Sequence, residues 1–207
     1  MQVRLWVDPV CPFCWMTSRW LVRVAALRDL RIELLPISLM VKNASTPENP
    51  YPEAMVAGHG LLRVMEAVRA AGHADRLGDL YTEYGRRLHV RGEGRVDAAA
   101  ALVAVGLDPA LAAAADDDAR DAAIAAAMAE GLALVGDDVG TPIIAVEHPR
   151  RPGVEVGLFG PVITELPDAE ASLRLWDGFL AMVATDGFFE LKRTRTSAPA
   201  RLDESDL

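Results

Sequence analysis

A chain of 207 residues, 51% hydrophobic and 25% charged, has the composition of one sizeable folded domain, or of a domain carrying a large insertion, rather than of a disordered protein. Its formal net charge of −9 repels phosphate backbones and argues against a nucleic-acid partner. No apolar run approaches the roughly 18 residues of a membrane span. Met1 to Val7 runs into Asp8-Pro9 without the regions of a secretory leader, so a cytoplasmic protein with no membrane partner is expected.

Residues 2–7 alternate polar and apolar with Val, Leu and Trp, which predicts a strand ended by Asp8-Pro9. Pro12 suits the first position of a helix, where its missing N–H is not needed. Trp20, Leu21, Val24 and Leu27 recur at helical spacing, so the helix should run from about Pro12 to Arg28. Ile32 to Ile37 reads as a second strand, which makes a βαβ unit with a right-handed crossover.

After residue 42 the character changes. Asn43 to Pro52 is polar and proline-rich, a loop, and from there to about Leu134 only helical patterning is present. Ala supplies 18 of the 39 residues from Asp97 to Val135, and Ala is the strongest helix former. Breaks at Gly58/Gly60, Gly72, Gly92/Gly94 and Leu107-Asp108-Pro109 predict four or five helices. An excursion of roughly 90 residues is too long and too helical for a loop. Strands return at Ile143–Val146 and Val154–Phe159, joined through the turn Pro149 to Gly153 as a hairpin. Asp168 should cap a last helix with Leu173, Trp176, Leu180 and Val183 on one face.

With the last helix of the excursion included, the order is β-α-β-α-β-β-α. That predicts an α/β fold with a thioredoxin-like core and an all-helical insertion. The core should take 1–42 and 136–192, the insertion 43–135, and a mobile polar tail 197–207.

Cys11-Pro12-Phe13-Cys14 carries the obvious chemistry. A C-x-x-C beside a βαβ pattern in a cytosolic chain reads as a redox motif, since cytosolic thiols are kept reduced and seldom serve as staples. Cys11 falls at the start of the helix, where unpaired N–H groups and the macrodipole favour a thiolate. Cys14 lies three residues on, within reach of a mixed disulfide on Cys11, and burial should keep it a thiol until needed. A zinc site would need two more ligands, but His59, His73, His89 and His148 are scattered. Two inert buried thiols are the plainer alternative, although packing alone does not explain Pro12.

Thr141-Pro142 precedes the third strand. An X-Pro bond there can be cis, exposing the backbone of Thr141 to pair with a bound substrate. Of the other conspicuous residues, Asp116-Asp117-Asp118 reads as a helix N-terminus. Met55, Met65 and Met128 read as core filler. Trp15, Trp20 and Trp176 should pack between helix and sheet, with Trp15 also shaping the cleft. Lys192-Arg193-Thr194-Arg195 reads as a solvated stretch beyond the last helix.

Several segments together resemble a known family. They are Asp8-Pro9 ahead of Cys11-Pro12-Phe13-Cys14-Trp15, Thr17-Ser18-Arg19-Trp20, Val139-Gly140-Thr141-Pro142, Phe159-Gly160-Pro161-Val162, Leu175-Trp176-Asp177 and Phe188 to Thr196. The resemblance is to the DsbA-like thioredoxin superfamily with an inserted helical domain, and within it to the mycothiol-dependent nitroreductases. It implies Cys11 as nucleophile, Cys14 as resolving thiol and Pro142 as a cis-proline. It further implies a small-molecule or disulfide substrate and mycothiol, a low-molecular-weight thiol, as co-substrate, with no tightly bound flavin or metal. Asn43 and Tyr51 match positions beside the cleft and are candidates for its substrate wall, with Pro12, Phe13, Trp15, Thr141 and Pro142. Their plainer reading is turn chemistry for Asn43 and packing beside Pro50 and Pro52 for Tyr51.

Where the family usually has Trp between the cysteines, this chain has Phe13, which keeps an apolar ring but lacks the indole N–H donor. Phe13 also differs from the His of many periplasmic oxidants, so a less oxidising couple, suited to reduction, is expected. Kappa-class glutathione transferases and 2-hydroxychromene-2-carboxylate isomerases share such a core but usually carry Ser at the first Cys position. A non-catalytic chaperone or binding module would need no thiols.

Overall fold

The computed structural model describes residues 1–44 and 53–207. Strand β1 (Gln2–Val7) leads into helix α1 (Pro12–Leu27) and strand β2 (Arg31–Pro36). A single turn, α2 (Leu39–Lys42), is followed by α3 (Glu53–Ala70), α4 (Leu77–Gly85) and α5 (Ala98–Ala104). A π-helical turn, Arg86–Val90, continues α4, and short 3₁₀ turns follow α5. Helix α6 (Asp121–Val135), strands β3 (Ile143–Glu147) and β4 (Glu155–Phe159) and helix α7 (Ala169–Val183) complete the chain's main elements.

The four strands form one sheet in the order β2-β1-β3-β4. Strand β1 runs parallel to β2, with Leu5 opposite Leu34, and antiparallel to β3, with Leu5 opposite Ile144. The predicted hairpin is β3–β4. Val3, Leu5, Trp6, Val7, Ile143, Ile144 and Ala145 are fully buried, because β1 and β3 are the inner strands and both faces of the sheet are covered. Helices α1 and α7 pack together on the sheet, with Trp20 and Trp176 at 6.2 Å and Trp176 stacked on Phe179. Helix α6 also lies on the sheet and completes the β-α-β-α-β-β-α order. It comes close enough for Trp6 Nε1 to donate to the carbonyl of Ala127 at 2.7 Å. Gly131 permits this approach, since a Cβ there would stand 2.9 Å from the Trp6 indole.

Two local expectations change. Gly58 and Gly60 do not break a helix: α3 runs through both. Gly58 is instead a contact, where a Cβ would meet Val10 and Asp8 at 2.8–2.9 Å. The C-terminal residues, expected as a mobile polar tail, pack on the body. Leu202 is buried, Ala200 N donates to the Thr164 carbonyl at 2.7 Å, and Glu204 pairs with Arg86 and Arg91. One apolar residue and a set of acids facing arginines suffice for this docking, and neither gives a periodic signal in sequence. Among the described residues no helix is long and apolar enough to cross a membrane.

Candidate active site

The site begins where β1 ends. The Asp8 carboxylate is wholly buried and accepts two backbone hydrogen bonds, from Val10 N at 3.0 Å and Leu39 N at 2.7 Å. Its carbonyl accepts from Cys11 N at 3.1 Å. One side chain thus ties the loop after β1 to the start of α2. Burial pushes the Asp8 carboxyl up to about 7, against those two donors.

Cys11 is the N-cap of α1, with extended backbone, and Pro12 takes the first helical position as predicted. Its Sγ accepts from Cys14 N at 3.4 Å. Thr141, from the loop before β3, reaches both sulfurs. The Cys14 thiol donates to Thr141 Oγ1 at 3.0 Å, and the Thr141 hydroxyl donates to Cys11 Sγ at 3.2 Å. The Thr141-Pro142 bond is cis, as is Gly160-Pro161. Both cysteines are free thiols.

These contacts divide the two sulfurs. The neighbouring Cys14 side chain is the largest influence on Cys11. Despite burial, Cys14, Thr141 and the N–H groups of Cys14 and Phe13 bring Cys11 down to about 6. Burial, then the neighbouring Cys11, drives Cys14 well above the usual thiol range. Cys11 is 5% exposed and Cys14 wholly buried, so only Cys11 offers a surface to a substrate. One sulfur is ready as a nucleophile near neutral pH; the other holds its proton.

The helical region reaches the site through Trp15. The indole is buried, stacks on His89 at 5.8 Å and lies 6.2 Å from Tyr81. The Arg19 guanidinium sits over the same indole, 4.4 Å from the ring centroid. His89 Nε2 lies 2.8 Å from the Pro9 carbonyl, which only accepts, so Nε2 carries the proton. Burial lowers the His89 pKa and keeps the ring neutral. Arg19 is buried; its donors reach Ser18 and Thr82, and burial brings it down to about 10, still charged at neutral pH. Among the described residues, Trp15 Nε1 and the Tyr84 hydroxyl are buried without a hydrogen-bond partner. Gly85 makes room for the indole, since a Cβ there would overlap the Trp15 ring.

Of the residues singled out from sequence, Cys11, Cys14 and Thr141 converge directly. Pro12 is exposed beside them, Phe13 is half-buried and Pro142 is buried. Asn43 caps α2, its Nδ2 donating to Leu39 O at 2.9 Å and approaching Met55 Sδ at 3.7 Å. Tyr51 lies outside the described residues. Among the described residues no three His, Cys, Asp or Glu side chains gather as a metal site. Asp8, Arg19, Gly85 and His89 were missed as site residues. The Asp8-x-x-Cys11 spacing was the one available signal, since an acid three residues before a helix-capping thiol must share its loop.

A capping thiol of lowered pKa and a buried partner, joined by the residue before a cis-proline on a thioredoxin-like core, define a thiol–disulfide oxidoreductase of the DsbA-like class. The chain belongs to the Rv2466c-like family, described as mycothiol-dependent nitroreductase Rv2466c, which it matches over residues 10–193. It is 28% identical over 199 residues to the uncharacterized protein Rv2286c of Mycobacterium tuberculosis, covering 94% of this chain and 83% of that protein. The cytosolic disulfide reductase DsbM of Pseudomonas aeruginosa, solved with GSH, has a similar fold, with a TM-score of 0.58 and 16% identity over 87% of this chain and all of that one. The probable DsbA oxidoreductase SCO1869 of Streptomyces coelicolor gives 0.56 and 19% over 96% and 95%.

Proposed function

We propose that this protein is a cytoplasmic reductase that draws electrons from mycothiol and works through a Cys11/Cys14 dithiol–disulfide cycle. The Cys11 thiolate attacks one sulfur of a disulfide substrate, forms a mixed disulfide and releases the other half as a thiolate. Cys14 then gives up its proton and attacks Cys11 Sγ. The substrate's second half leaves as a thiol, and the enzyme is left with a Cys11–Cys14 disulfide. Two equivalents of mycothiol restore the dithiol, themselves becoming a disulfide. With a nitroaromatic substrate the same two electrons and two protons convert nitro to nitroso and water.

The observation that carries this reading is the Thr141 hydroxyl between the sulfurs, with Cys11 lowered and Cys14 raised. Pro12, Phe13, Trp15, the Thr141 backbone, Pro142 and Asn43 form the wall against which the substrate rests. The family described as mycothiol-dependent supports mycothiol as reductant. The DsbM structure with GSH supports a low-molecular-weight thiol as partner.

The test is re-reduction of the oxidised protein by mycothiol and by glutathione, with free thiols counted. Mycothiol should be the faster reductant. Cys11→Ser should abolish turnover, and Cys14→Ser should accumulate a mixed disulfide on Cys11. Equal turnover in both variants would overturn the cycle.

A further inference from the structure

After α7 the chain does not leave the site. It runs through an exposed stretch, Phe189 to Thr196, before docking at Ala200 to Asp206. Both ends are held, by α7 on one side and by Leu202 and the Glu204 pairs with Arg86 and Arg91 on the other. Between them the Arg195 guanidinium sits 4.8 Å above the ring of Phe13, the residue between the two cysteines. The basic run read from sequence as merely solvated therefore sends one residue, Arg195, onto the ring between the two cysteines.

We infer that Arg195 is a specificity-determining residue, which steers disulfide substrates bearing a carboxylate or similar anionic group onto Cys11. Three observations carry this. Among the described residues Arg195 has no acidic partner, nor do its neighbours Lys192 and Arg193, in a chain where many other arginines are paired. The guanidinium sits over the Phe13 ring and makes no ion pair among the described residues, so its N–H fork, which matches a carboxylate, is not taken up by an acid of this chain. A net charge of −9 repels anions from the molecule as a whole, so a local cation at the site is what an anionic substrate needs. The lowering of Cys11 owes nothing to Arg195, since its causes are Cys14, Thr141 and two backbone N–H groups. Its effect falls on substrate choice.

This inference rests on Cys11 being the nucleophile, and the test separates the two. Reduced protein is oxidised in a single turnover by 5,5′-dithiobis(2-nitrobenzoate), which carries two carboxylates, or by the uncharged 2,2′-dithiodipyridine. Each turnover transfers two electrons from the dithiol and releases two small thiols, so no other reductant is involved. The rate ratio of anionic to neutral probe should fall about two- to fivefold in Arg195→Gln, as expected for loss of one exposed charge pair. It should fall further in Arg195→Glu and be largely kept in Arg195→Lys. Added salt should lower the ratio in the unsubstituted protein more than in Arg195→Gln. A ratio identical in all four proteins overturns the inference and leaves the dithiol cycle standing. Oxidation of Cys11→Ser at the unsubstituted rate overturns the cycle itself, and the inference with it.

Discussion

Thr141 donates its hydroxyl proton to Cys11 Sγ at 3.2 Å while accepting the Cys14 thiol proton at 3.0 Å. The one hydroxyl thus bridges the sulfurs and favours charge on the first, while burial and the neighbouring Cys11 keep the proton on the second. Hydrogen bonds to charged groups contribute about 1.5–3 kcal/mol, so removing this one should raise Cys11 by about one pH unit or more. Thr141→Val keeps the shape and deletes the hydroxyl. Iodoacetamide labelling of Cys11, with a midpoint near pH 6 in the unsubstituted protein, should then shift to higher pH, and Thr141→Ser should restore it. A Thr141→Val profile overlying the original would show that Cys14 and the backbone amides suffice.

Asp8 behaves in the opposite sense to Cys11. Its folded value of about 7 lies above the ordinary 3.8, so the unfolded chain releases this proton first as pH rises. The folded state then binds more protons between those values, and stability falls as pH climbs through them, by up to about 4 kcal/mol. The oxidised protein is the form to test, since neither sulfur titrates there. Its resistance to urea should decline from pH 4 to pH 7 and then level. In Asp8→Asn that decline should largely vanish. Parallel pH dependences would mean that Asp8 is charged when folded, held by Leu39 N and Val10 N.

Much of this site was legible because it is local. Pro12 at the first helical position, Cys11 as cap and Cys14 one turn on follow from helix geometry alone. The Thr141-Pro142 pairing needed only the β-α-β…β-β-α order to put the loop before β3 opposite the start of α1. What stayed hidden depends on packing across the insertion. His89 was weighed only as a metal ligand, yet it stacks on Trp15 and holds the Pro9 carbonyl. No pattern in residues 86–90 marks a π-helical turn that carries a ring back to the first loop. Arg195 was hidden for a similar reason: a short basic run looks solvated until Leu202 and Glu204 are seen to pull the chain back over the site.

Phe13 bears on the redox poise. An imidazolium at this position would favour the thiolate, hence the reduced form, and so make the couple more oxidising. Phe13 offers no such charge, and the Arg195 above it is exposed to water. The reduction potential, measured by equilibration in glutathione buffers, should lie well below the roughly −120 mV of DsbA. Phe13→His should raise it by about 30 mV or more, the equivalent of roughly 1.4 kcal/mol. An unsubstituted protein already near −120 mV would remove the argument that the site is set for reduction.

Gly85 tests whether the helical region sets the geometry of the thiols. It ends α4 with no room for a side chain, because the Trp15 ring occupies the space a Cβ would take. Trp15 cannot retreat freely, held between His89, Tyr81 and Arg19 and adjacent in sequence to Cys14. Overpacking of this kind costs about 1–3 kcal/mol, so Gly85→Ala should lower the urea midpoint accordingly. It should also change the Cys11 labelling rate at pH 7, since a displaced Trp15 carries the first turn of α1 with it. Gly78→Ala, on the same helix with nothing near its Cβ position, supplies the control and should alter neither. Loss of stability in Gly85→Ala with an unaltered labelling rate would show that α4 supports the indole without setting the geometry of the thiols.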